Sequence, residues 1–256
     1  MATLHELMRN VHVLFGFVGL VAFWVPAFAR KGQKLHLAAG RVFAWAAYIV
    51  IATAIVTAVL RVLWPLDVTR LPANPSPELI AQIVEQSRVF GTFLLYLGIV
   101  TLAGLHHGLA VLRAHRQCRP LRTAMHTLLN WVSIVSSIVV VGLGVWLAQP
   151  ILLALSPIGI LGGVAALRYA RRAAPSRMSW WYEHMGGMLG TGIAFHTAFF
   201  VFGARRFFDL GLDGWLAIVP WVLPTAIGLP AITIWTNYYR RKFGELPERS
   251  AKPAMV

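Results

Sequence analysis

Seven long apolar runs alternate with short polar connections, and no other feature limits the possible folds of this chain as strongly. The runs are roughly Val11–Ala29, Leu35–Leu63, Phe90–Leu112, Met125–Leu147, Ile151–Leu167, Trp180–Phe202 and Trp215–Tyr238. Each reaches the ~17–25 residues that a membrane-spanning helix requires, Ile151–Leu167 being short and interrupted by Pro157. Inside hydrocarbon every backbone N–H and C=O must be satisfied within the protein, so runs of this kind predict helices. Apolar residues make up 58% of the chain and charged residues 12%, and no polar stretch is long enough for a second domain. The sequence therefore predicts one all-α, seven-helix membrane domain spanning 1–256, with an outer loop at 64–88 and a tail at 239–256.

Charge sets the expected orientation. The connections Arg30–Lys34, Arg113–Arg122 and Arg168–Arg177, with Arg41 and the tail from Tyr239, hold 17 of the 23 lysines and arginines. The opposite side holds Arg9, Arg61, Arg70, Arg88, Arg205 and Arg206. Lysine and arginine stay on the cytoplasmic side, which predicts an outer N-terminus and a cytoplasmic C-terminus. The net charge of +14 is then a topology signal that meets anionic lipid headgroups, not a nucleic-acid footprint. The single cysteine, Cys118, excludes an internal disulfide or a cysteine cluster. No small-residue cleavage site follows the first run, so no removable signal peptide is expected.

Two segments should depart from plain spans. In the outer loop, Ser76-Pro77-Glu78 has the composition of a helix start. The face Leu79, Ile80, Ile83 and Val84 then fits either an interfacial helix or an extension of the third span. In the last span, Pro220, Pro224 and Pro230 predict a kink or local unwinding.

Histidines carry the chemistry. Ionisable side chains inside a span are costly and turn toward the bundle interior, so each is a functional candidate. On the expected topology His5, His12 and His196 lie toward the outer face. His36, His106, His107, His126 and His184 lie toward the cytoplasmic face, and His115 sits in a basic loop. His184 and His196 share the Gly-rich sixth run, twelve residues apart. That spacing is roughly 18 Å of rise and roughly 120° of rotation, so the two rings serve different sites. His106 and His107 point about 100° apart, so at most one of them serves a given site.

Imidazoles at two depths are what a transmembrane electron path through two b-type haems needs, each iron taking two axial ligands. His12 with His196 forms the expected outer pair. His184 with one of His106, His107, His36 or His126 forms the inner pair, with Arg41, Arg113 and Arg122 available to the propionates. A quinone or a redox protein would be the partner, and an oligomer is compatible with the sequence. No C-x-x-C-H occurs, which excludes covalent haem attachment.

The competing chemistry is a zinc-dependent membrane hydrolase. A catalytic zinc takes three protein ligands and an open position, for which His36, His126 and His184 are candidates, with Glu183 as base or fourth ligand. Seven-span hydrolases of the ceramidase and adiponectin-receptor type also use a serine and an aspartate. Here Asp67, Asp209 and Asp213 all fall in outer segments, so the likeness fails at the acid. A proton-coupled transporter with a histidine relay, or an accessory subunit of a membrane complex, completes the alternatives. The near absence of carboxylates at the spans counts against a relay, Glu183 being the only one.

Two motifs resemble a family of multi-pass bacterial membrane proteins of unassigned function. Lys31-Gly32 with His36 and Gly40-Arg41 resembles its K-G-x-x-x-H-x-x-x-G pattern. Glu183-His184-Met185-Gly186-Gly187-Met188-Leu189-Gly190 resembles its second signature. The resemblance implies a bacterial inner-membrane location and importance for His36 and His184, and supplies no activity. The likeness to cytochrome b561-type two-haem proteins is architectural only.

Overall fold

The structure, a computed structural model, describes residues 2–69, 71–204 and 214–246. Arg70, Arg205, Arg206, Asp209, Asp213 and the tail from 247 lie outside the described residues. Nine α-helices and no strand occur among the described residues. They are α1 (Ala2–Phe28), α2 (Lys34–Leu63), α3 (Pro65–Val68), α4 (Pro77–Ala114), α5 (Ala124–Trp146), α6 (Pro150–Leu155), α7 (Pro157–Ala170), α8 (Ser179–Ala198) and α9 (Val219–Lys242). Seven segments are long and apolar enough to cross a membrane, α6 and α7 together forming the fifth. This is a multi-pass membrane protein.

The departures from regular helix follow from local chemistry. Ser76 caps α4 by accepting the Leu79 N–H, and α4 then runs 38 residues without a break. At 1.5 Å per residue that is roughly 57 Å, well beyond a ~30 Å hydrocarbon layer. The Leu79–Val84 face therefore extends the third span instead of forming a separate helix. Pro157 lacks an N–H and divides the fifth span into α6 and α7. The carbonyls freed there find side-chain donors. Ser156 Oγ donates to Leu153 O at 3.1 Å, and Tyr96 Oη lies 2.8 Å from Leu155 O and 3.0 Å from Ser156 O. In the last span the helix continues through both Pro224 and Pro230. α8 ends in a π-turn, Phe199–Gly203.

α1, α2, α4 and α8 pack in a closed ring, each against the next and α8 back against α1. α5, α6 and α7 stack on the side of α4 away from α2, and α9 lies against α8. Helices in lipid gain little from burying apolar surface against each other, so close approach through small residues carries the packing. The Phe23 ring lies on Gly192 and the Phe195 ring on Gly19, a reciprocal fit of α1 and α8. Glycines 159 and 163 of α7 let that helix reach Ser137 and the Asn130 carbonyl of α5. The outer surface is the inverse of a soluble protein's, with Phe28, Trp45 and Trp146 each at least 70% exposed. A lipid solvent asks for that inversion.

Candidate functional site

The site grows from the contact between α4 and α8. A Cβ on Gly187 would lie 2.7 Å from Gly108 Cα and 2.9 Å from Gly104 O, so the two backbones touch where side chains are missing. This contact brings the adjacent residues Glu183 and His184 of α8 onto the adjacent residues His107 and Gly108 of α4. His184 Nδ1 lies 2.7 Å from Gly108 O, and Glu183 Oε2 lies 3.0 Å from His107 Nε2.

His107 is held from both sides. Its Nδ1 lies 3.0 Å from His126 Nε2 on α5. Thr123 Oγ1 accepts the His126 N–H, and Asn130 Nδ2 donates to His126 O at 2.7 Å, fixing the first turn of α5. Three helices thus contribute one side chain each to a chain Glu183–His107–His126. The Tyr169 ring stands edge-on to His107 at 5.8 Å, and its hydroxyl is 3.0 Å from Ser179 Oγ. Cys118 is buried beside Tyr169, and burial pushes its thiol above the ordinary cysteine range.

Hydrogen-bond roles follow from the carboxylate. An ionised Glu183 only accepts, so His107 carries its proton on Nε2. For a neutral ring, His107 Nδ1 then accepts, and His126 must donate through Nε2. That leaves His126 Nδ1 as a lone pair, and this atom is buried without a partner in a residue only 1% exposed. A buried polar atom lacking a partner costs about 1–3 kcal/mol. The opposite end is partly exposed, the Glu183 side chain being 31% exposed. The three groups form a hydrogen-bonded chain with one end partly exposed and the other in the bundle interior.

Comparison with known proteins finds no matching family model, curated protein or solved structure. Function must be read from the site itself.

The remaining histidines are dispersed. His36 Nδ1 lies 3.1 Å from Pro26 O, while Lys31 Nζ donates to Pro26 O at 2.7 Å and to Ala27 O at 2.6 Å. Gly32, at φ +78°, turns the chain between them. The K-G-x-x-x-H motif is thus a device that satisfies the last carbonyls of α1 and reverses the chain into α2. The Lys31 ammonium and the His36 ring are within Coulombic reach of His184. His12 Nδ1 lies 3.1 Å from Val50 O and 3.2 Å from Thr53 Oγ1. His196 bonds Gly192 O in its own helix, its ring 5.3 Å from both Phe23 and Trp24. His106 faces His126 at 6.2 Å between ring centroids, and His115 packs on Trp180.

Two sequence expectations change as a result. His12 and His196 do not form an outer pair. His196 sits beside Phe23, eleven residues along α1 from His12, which is roughly 16 Å of rise. His36, His126, His184 and Glu183 do not converge as a zinc set. His126 and Glu183 are both engaged by His107, whereas His36 and His184 bind main-chain carbonyls. No group of three or more metal-ligating side chains is placed to hold an ion among the described residues. His184 ties its Nδ1 to Gly108 O. The roles of Tyr169 and Asn130 were missed. The complementary signatures H-H-G on α4 and E-H-x-x-G on α8 were the available clue.

Proposed function

We propose that this is a bacterial inner-membrane protein that passes protons between the cytoplasm and the interior of its helix bundle along Glu183, His107 and His126. One observation carries the reading: two 3.0 Å links join a partly exposed carboxylate to a buried imidazole whose last nitrogen has no partner. A proton arriving at His126 Nδ1 releases the proton of His126 Nε2 to His107 Nδ1. His107 then gives its Nε2 proton to Glu183, which exchanges it with water. The reverse pass restores both rings, so net transfer in one direction needs a second proton route or rotation of the rings. The excess of arginine and lysine at the Glu183 end supports a cytoplasmic placement for that end.

The test is proton flux in vesicles that enclose a pH-sensitive dye, under an imposed gradient. Glu183→Gln, His107→Phe and His126→Phe are expected to lower the rate at least 10-fold, with His12→Ala unchanged. Wild-type rates in Glu183→Gln and His126→Phe, or no flux in the native protein, would overturn the proposal.

A second reading, b-type haem and electron transfer to a quinone or redox partner, is favoured by the tautomers of His36 and His184. Each ties Nδ1 to a carbonyl and leaves the Nε2 lone pair free, as an axial ligand requires. Haem would supply one-electron chemistry, and these two imidazoles would hold its iron. A Soret band that disappears in both His36→Ala and His184→Ala supports it, and a colourless protein after expression with haem supplied removes it.

A further inference from the structure

On the far side of the ring from the relay, α1 and α2 leave a groove of about 370 Å³ between Phe15 and Val18 on one helix and Arg41, Val42, Trp45 and Ala46 on the other. Its walls are apolar except for Arg41. That arginine is exposed, and Trp45, one turn further along the same face of α2, is 70% exposed. Arg41 lies seven residues into α2, roughly 10 Å of helix inward from Lys34.

An arginine at that depth needs an anion. No carboxylate among the described residues pairs with it, since the one ion pair found there is His107–Glu183. The guanidinium can reach back toward the headgroup layer along its own stem. At that level it joins the basic turn of Arg30 and Lys34. Phosphate is the anion that a leaflet supplies at this depth, and guanidinium binds it bidentately. Beside the guanidinium the groove is lined by the apolar side chains of Phe15, Val18, Ala38, Val42, Trp45 and Ala46. One cation on an otherwise apolar groove matches the amphipathic chemistry of a lipid.

We infer that the α1–α2 groove is a specific site for an anionic phospholipid, with its phosphate on Arg41 and one acyl chain between Phe15 and Trp45. The inference does not depend on the proton relay. Wherever the α2 start meets a leaflet, the same chemistry applies.

Native mass spectrometry of the detergent-solubilised full chain, with phosphatidylglycerol or phosphatidylcholine added at equal concentration, tests it. The native protein is expected to retain phosphatidylglycerol at least 5-fold more than phosphatidylcholine. Arg41→Gln should abolish that preference, whereas Arg41→Lys should retain part of it. Ala38→Phe, at an exposed alanine of the groove, occupies the groove and keeps the charge, and should lower retention of both lipids. Size-exclusion profiles and thermal unfolding identify any variant that is simply misfolded. Equal retention of the two lipids by the native protein, or equal retention of phosphatidylglycerol by native and Arg41→Gln protein, would overturn the assignment. So would a lipid-free dimer that Ala38→Phe dissociates, because a second copy would then fill the groove.

Discussion

The Glu183 carboxylate lies 3.0 Å from Nε2 of His107, and the two residues come from helices whose backbones touch at Gly187 and Gly108. The polar contact and the glycine contact are one structural unit. Separating the helices by the width of a methyl group would open the hydrogen bond as well.

Glycine substitutions test that coupling. Gly187→Ala puts a Cβ 2.7 Å from Gly108 Cα, a backbone atom that cannot swing away. Overpacking of this kind costs about 1–3 kcal/mol. Thermal unfolding in detergent should fall accordingly, and the Glu183–His107 bond should weaken with it. Gly186→Ala and Gly190→Ala meet nothing within 4 Å and should leave stability unchanged.

Removing the carboxylate isolates the polar part. Glu183→Ala leaves the Nε2–H of a nearly buried His107 without its acceptor, at a cost of about 1–3 kcal/mol. Partial exposure of Glu183 places the effect toward the lower end. A double-mutant cycle of Glu183→Ala with His107→Phe should show coupling, since the second change removes the stranded donor. Additive effects on unfolding would mean that the contact contributes nothing.

The tautomers are directly observable. Nitrogen-15 NMR of histidine-labelled protein near neutral pH should show His126 protonated on Nε2 and bare on Nδ1, and His107 protonated on Nε2. In Glu183→Gln the amide oxygen can still accept, but the anion that orients the chain is gone. A mixture of His107 tautomers is expected there. A His126 signal protonated on Nδ1 in the native protein would contradict the assigned direction of the hydrogen-bonded chain.

The α1 cap makes its own prediction. Lys31→Ala and His36→Ala each remove a donor to the terminal carbonyls of α1 and should each cost about 0.5–1.5 kcal/mol. Because both donors reach Pro26 O, the double variant should lose less than the sum of the single losses. Thermal unfolding of the three variants measures it.

Cys118 reports on the packing around Tyr169. Its residue is 4% exposed and its folded thiol titrates above the ordinary value of 9.0. A raised pKa means that the folded state holds this proton more tightly than the unfolded one. The associated stabilisation is complete below about pH 9 and is lost as pH rises through the folded value. Alkylation at pH 8 should be at least 10-fold slower than in unfolded protein, and Tyr169→Ala should remove most of that protection.

Spans and the polarity of the loops between them were legible in the chain, because each is a local property. Seven runs of apolar residues can only be helices in lipid, Pro157 breaks its span wherever it sits, and Ser76-Pro77-Glu78 starts a helix without tertiary help. Partner choice was not legible. Whether His126 meets His107 or joins a zinc set with His36 depends on which helices touch and at what height. That is decided by Gly108 and Gly187, whose missing side chains permit one close approach and so place Glu183 on His107. His12 and His196 illustrate the same limit from the other side. Their sequence positions fixed their depths only loosely, and the fit of Phe23 onto Gly192 placed His196 a helix length of eleven residues away from His12. Sequence determined which groups the lipid would force inward. Only the packing of backbone against backbone decided which of them could share a proton.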